Sequence, residues 1–124
     1  MMTNLTQKEI AELFSNGKFD EVINYLSDEI VWDVVGENVF NGKEAVIKNC
    51  EQTAQYFDSV ETNFKTHDIL LSDNKVVITG TAEFKQDGKS INLVSACDIY
   101  EFNEKNLLKK ILSYCITKKT ESSY

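Results

Sequence analysis

Apolar residues fall at helical spacing over the first part of the chain and at strand spacing over the rest. Thr6-Gln7-Lys8-Glu9 is a capping box, and Ile10, Leu13 and Phe14 behind it predict a short helix. Asn16-Gly17 is a left-handed stop signal for it. Phe19, Val22, Ile23 and Leu26 repeat the i, i+3, i+4, i+7 spacing and predict a second short helix. The period then changes, because Ile30, Val31, Trp32, Val34 and Val35 are β-branched or aromatic and read as a strand. Gly36-Glu37-Asn38 turns it into a short second strand at Val39-Phe40. Past Asn41-Gly42, Val46, Ile47, Cys50, Ala54 and Phe57 mark the inner stripe of the longest helix, with Lys43, Glu44, Lys48, Glu51 and Gln52 outside.

Everything after residue 59 reads as strand, over residues 60–71, 75–84, 89–102 and 107–117. Ser72-Asp73-Asn74 separates the first two, and Gln86-Asp87-Gly88 is a strong hairpin signal between the next. Residues 119–124 are expected to be a frayed tail of a single domain spanning 1–124. The order is helix, helix, short hairpin, helix, then a four-strand antiparallel meander. It predicts an α+β domain with three helices packed in the concave face of a strongly curved mixed or antiparallel sheet. Such a sheet forms a cone whose open end is a pocket. Gly80, in the middle of a strand, predicts a bend or a close approach there.

Two acids interrupt apolar strands. Alternation puts Val31, Asp33 and Val35 on one face of their strand and Ile30, Trp32 and Val34 on the other, so neither face is plainly the wet one. An ionised carboxylate inside would be costly unless paired, and the alternative is a hydrogen bond into the following turn. The second acid, Asp98, shares a face with Val94, Ala96, Tyr100 and Phe102, opposite Ile91, Leu93, Ser95, Cys97 and Ile99. Desolvation on the first face would raise its pKa. A structural aspartate bonded to a backbone N–H or a tyrosine would look the same from sequence. Apolar residues on both faces suit a sheet covered by helices on one side and by a second copy on the other, and predict a homodimer through the outer face.

Composition narrows the classes. The chain has 124 residues, 42% hydrophobic and 27% charged, as expected for one ordered domain with its own core. A net charge of −7 without a stripe of lysine or arginine argues against nucleic acid as a partner. No stretch approaches the ~20 apolar residues of a membrane span, and the first ten residues are amphipathic rather than signal-like. The odd, widely spaced Cys50, Cys97 and Cys115 are expected to be reduced and buried in a cytoplasmic protein, with no disulfide framework and no metal site. His67 is the only histidine, and no phosphate loop, dinucleotide fingerprint or Ser-His-Asp order is present.

Four segments together resemble the nuclear-transport-factor-2-like superfamily, in its SnoaL-like and ketosteroid-isomerase-like branches. They are Gly17-Lys18-Phe19-Asp20, the run from Leu26 to Asp33, the run from Phe40 to Ile47, and Asp98-Ile99-Tyr100-Glu101-Phe102. The resemblance implies a cystatin-like cone holding a small apolar molecule and cofactor-free acid–base chemistry on a carbonyl-type substrate, of isomerase, cyclase or dehydratase type. Some members of the superfamily are instead non-catalytic ligand-binding or protein-interaction modules. In ketosteroid isomerases the general base lies on the strand after the second helix in an Asp-x-x-Gly context, which Asp33-Val34-Val35-Gly36 matches. Their protonated oxyanion-hole aspartate precedes a hydrophobic-x-x-Phe segment, which Asp98 to Phe102 matches. By this resemblance Asp33 is the base and Asp98 the neutral donor, converging in one cavity. Trp32, Phe14, Phe40, Tyr56, Phe57, Phe84, Tyr100 and Cys115 are its candidate lining. The family's tyrosine on the first helix has no counterpart beside Ile10, Leu13 and Phe14; a hydroxyl from Tyr25, Tyr56, Tyr100 or Tyr114 would have to replace it. An oxyanion hole lacking one donor loses about two to three decades in rate.

Overall fold

The computed structural model describes residues 4–118. Helix α1 (Gln7–Ser15) begins at the expected capping box: the Thr6 hydroxyl accepts from the Glu9 N–H at 3.1 Å, and the Glu9 carboxylate accepts from the Thr6 N–H at 2.9 Å. It buries Ile10, Ala11 and Phe14. Its end is a Schellman turn, with Gly17 N–H bonded to the Phe14 carbonyl and Lys18 N–H to the Leu13 carbonyl. Gly17 has φ +78°, and a Cβ there would meet the Phe57 ring at 3.1 Å, so position 17 demands glycine for both conformation and space.

The second helix expected from Phe19, Val22, Ile23 and Leu26 does not form. Two 3₁₀ turns, Phe19–Glu21 and Ile23–Tyr25, stand in its place. Only eight residues separate Gly17 from Leu26, and Leu26 is already claimed by strand pairing with Leu108. The segment still buries Phe19 and Val22, the i, i+3 pair that three residues per turn keeps in line.

Six strands follow: β1 (Leu26–Val34), β2 (Asn38–Asn41) and, after α2 (Lys43–Ser59), β3 (Glu61–Ser72), β4 (Lys75–Gln86), β5 (Lys89–Phe102) and β6 (Leu108–Lys118). They make one sheet in the order β2-β1-β6-β5-β4-β3. The meander β3 to β6 is antiparallel throughout, as expected. β1 joins it alongside β6 in parallel, so the sheet is mixed. It is not strongly curled, and two α-helices rather than three lie on it. Gly80 explains itself: a Cβ there would sit 2.5 Å from the Lys65 carbonyl oxygen, beside the register shift between Thr66 and Asp68. α1 and α2 pack on one face, where Ile10, Phe14, Val46, Val76, Tyr100 and Ile111 join a single buried core. The expected frayed tail at 119–124 lies outside the described residues.

Candidate functional site

Between α1, α2 and the covered face of the sheet lies a half-enclosed cavity of about 280 Å³. Its walls are aromatic and its inner end is polar. Phe14, which α1 supplies, meets Trp32 of β1 edge-on at 5.1 Å and Tyr100 of β5 at 5.9 Å. Phe57 of α2 stacks on Phe84 of β4 at 5.8 Å and meets Phe64 of β3 edge-on at 5.1 Å. Edge-to-face and stacked contacts pack these rings against one another, so the cavity walls are built from contacts within the protein itself.

Asp98 is the single acidic residue among those lining the cavity. Strand alternation on β5 turns Val94, Ala96, Asp98 and Tyr100 into it together. Burial pushes the Asp98 carboxyl up to about 6, against an opposing hydrogen bond from Ser113, its cross-strand neighbour. Ser113 is itself buried and accepts the Trp32 indole N–H at 3.0 Å. The indole thus occupies one lone pair of the serine oxygen and leaves the hydroxyl proton for Asp98, a relay from Trp32 through Ser113 to the carboxylate. The Tyr100 hydroxyl, fully buried and hydrogen-bonded with Ser15, is driven well above the ordinary phenol range by burial and then by the Asp98 charge. Although Cys115 as a residue is exposed, partial desolvation of its thiol at the cavity, then the carboxylates of Asp98 and Glu37, push it up to about 11, so it stays protonated at neutral pH.

Of the candidate lining residues, Phe14, Trp32, Phe57, Phe84, Tyr100 and Cys115 line the cavity with Asp98. Phe40 does not; it packs on Trp32 from outside at 6.0 Å. Tyr56 is largely exposed and lies against Phe84 at 5.3 Å, away from the lining. The expected convergence of Asp33 with Asp98 does not occur. Trp32 and Val34 take the cavity face of β1, so alternation sends Asp33 to the opposite face, between Val39 of β2 and Leu112 of β6. His67, exposed on β3, lies near the Thr81 hydroxyl at 3.5 Å and is not a lining residue. Cysteine burial also departs from expectation: Cys50 is buried and pushed up to about 12 by desolvation, whereas Cys97 is half-buried and Cys115 exposed. None of the three is in a disulfide. Sequence reasoning missed Ser113, Asn49 and Thr53, whose polar side chains give no periodic signal. No group of three or more metal-binding side chains occurs among the described residues, and none of their helices is long and apolar enough to cross a membrane.

The sequence profile of the family described as SnoaL-like domain matches residues 8–110. An NTF2-like protein of unknown function from Cytophaga hutchinsonii is 33% identical and superposes with a TM-score of 0.78, over 86% of this chain and 93% of that one. An LEH-like epoxide hydrolase of M. tuberculosis shares the fold at 18% identity, with a TM-score of 0.66 over 89% of this chain and 82% of that one. So does the epoxide hydrolase/cyclase-like enzyme SalBIII of pyran ring formation in the polyether salinomycin, at 16% identity and a TM-score of 0.68, covering 89% and 90% of the two chains. No curated protein matches the chain.

Proposed function

We propose, for a chain that belongs to the SnoaL-like domain family, that the cavity binds a small apolar molecule and that Asp98 is its one acid–base group. The observation that carries this reading is a lone carboxylate in an aromatic cavity with its pKa pushed up to about 6. A group that titrates near neutrality both accepts and returns a proton efficiently. With Asp33 on the other face, Asp98 takes the base role that the resemblance assigned to Asp33, and at pH 7 it is mostly ionised. The relay through Ser113 supports that role, since the serine donates to the anion. The chemistry is cofactor-free proton transfer on a carbonyl-type substrate, of the isomerase, cyclase or lyase kind. The epoxide hydrolase and cyclase names of similar folds are consistent with an apolar substrate. A volume of about 280 Å³ lies at the lower edge of drug-sized sites and suits a monocyclic substrate.

Hydrogen–deuterium exchange next to the carbonyl of small cyclic ketones, followed by NMR in heavy water, tests the reading. Exchange should rise through about pH 6 and then level, and Asp98→Asn should abolish it. Ketone binding without Asp98-dependent exchange would leave the second reading, a non-catalytic ligand-binding module. That reading is favoured by one observation, the absence of a second acid from the lining. Either way we place the domain in a reducing, cytoplasmic setting, which suits three unpaired cysteines. We also take its working form to be a homodimer through the outer sheet face.

A further inference from the structure

We propose that the cavity receives a small lipophilic amine in its protonated form, held between the Asp98 carboxylate and the aromatic walls. The inference rests on the cavity being a ligand site, and it goes beyond the catalytic reading because it requires no turnover.

The first ground is a missing counter-charge. Among the described residues the ion pairs are Lys8 with Glu12 and Lys85 with Glu83, none of them a cavity-lining residue. Lys65 lines the cavity, yet burial and Ser113 are the influences that act on Asp98. The carboxylate therefore carries its desolvation cost with one hydroxyl donor and no cation. A second ground is the count of donors. An ionised carboxyl offers about four lone-pair sites, and Ser113 fills one. A protonated amine supplies both the charge and an N–H, the stronger, charge-assisted kind of hydrogen bond.

The third ground is the rings. Trp32, Phe14 and Tyr100 cluster at centroid separations of 5.1 and 5.9 Å beside the acid. A cation within about 6 Å of an aromatic centroid is attracted to its face, more strongly when desolvated. Anions are disfavoured by the same features. They would meet Asp98, and the Tyr100 hydroxyl is already engaged with Ser15. Tyr100 and Cys115, which both feel the Asp98 charge, stay neutral at pH 7; Lys65 is the one cationic residue of the lining, and it is not among the influences on Asp98. The net charge of −7 draws cations toward the molecule as a whole.

N,N-dimethylbenzylammonium and isobutylbenzene have nearly the same shape and differ in charge, so they separate the two contributions. Binding to the full chain is read by calorimetry and by the fluorescence of Trp32, the sole tryptophan, which lines the cavity. At pH 8 the amine should bind at least about tenfold more tightly than the hydrocarbon. At pH 5, with Asp98 mostly protonated, the amine should weaken by about tenfold while the hydrocarbon is unchanged. Asp98→Asn should equalise the two ligands. The pH comparison on the unaltered protein carries the test even if that variant misfolds. Equal affinities, or an amine affinity indifferent to pH, overturn the inference and leave the apolar-cavity reading in place. Failure of both ligands to bind overturns both.

Discussion

Ionising Asp98 costs the folded protein more than the unfolded chain, because burial raises its pKa from 3.8 to about 6. The folded state therefore holds this proton over a pH range in which the unfolded chain has released it. The resulting stability is fully present below about pH 4 and is lost as pH rises toward 6 and beyond. Asp98→Asn should accordingly match or fall below the parent protein at pH 4 and exceed it by about 1–2 kcal/mol at pH 7, after allowing for imperfect hydrogen bonding of the amide. Thermal melts of both proteins across pH 4 to 8 measure the gap; a variant less stable at every pH would mark Asp98 as a structural anion. Ser113→Ala acts in the other direction on the titration. Without its donor, Asp98 should titrate above 6, and the unpartnered Trp32 indole should cost about 1–3 kcal/mol, whereas Ser113→Thr should restore both. Carbon-13 NMR of the aspartates reads the first effect and melts the second. Asp98 was legible in the sequence because an acid stood among apolar neighbours on an alternating strand. Asp33 gave the same signal, and what separates them is invisible to alternation: Phe14 and Ser113 bind the Trp32 face of β1, and Ser113 is 81 residues away.

At the scale of elements, local chemistry and long-range pairing compete, and the outcome follows how long each local signal runs. The capping box, the Asn16-Gly17 stop and the Asp87-Gly88 turn are self-contained, so α1 and the β4–β5 hairpin were legible. An apolar stripe of about two turns at Phe19 to Leu26 was not enough to hold a helix against the pairing of Leu26 with Leu108. Nor does anything in β1 announce that its partner is β6, because a parallel neighbour so far along the chain leaves no turn signature. Gly80 is the element-scale feature with the sharpest consequence. A methyl group at 2.5 Å from the Lys65 carbonyl oxygen has no flexible side chain to displace, so β3 and β4 must separate around it. Gly80→Ala should lower stability by about 1–3 kcal/mol and enlarge the cavity rim, which Gly80, Thr66 and Lys65 share. Denaturant unfolding measures the loss, and amide exchange along β3 should accelerate more than along β5.

At the scale of the molecule, the two faces of the sheet have different fates. α1 and α2 cover the face that carries Asp98, and no described element covers the other. On that open face Leu112, Tyr114 and Ile116 of β6 run beside Ile99, Cys97 and Ser95 of β5, with Tyr114 45% and Ile116 74% exposed. Lys110 and Lys118 flank this apolar strip on β6, with Glu101 beside Lys110 and Asp33 beside Leu112. Both signs of charge around one apolar patch suit a two-fold contact, in which a surface meets its own copy turned through half a circle. In such a contact Asp33, displaced from the cavity, would lie at the margin of the apolar strip, beside Leu112. A dimer through this face should appear by sedimentation at micromolar concentration. Ile116→Lys, placed where an apolar side chain is most exposed, should yield a monomer with an unchanged far-ultraviolet spectrum. Because the cavity opens on the covered side of the sheet, that monomer should still bind a cavity ligand. A single monomeric species in the unaltered protein, or a dimer that survives both Ile116→Lys and Tyr114→Lys, would move the contact elsewhere and leave the apolar strip without a partner.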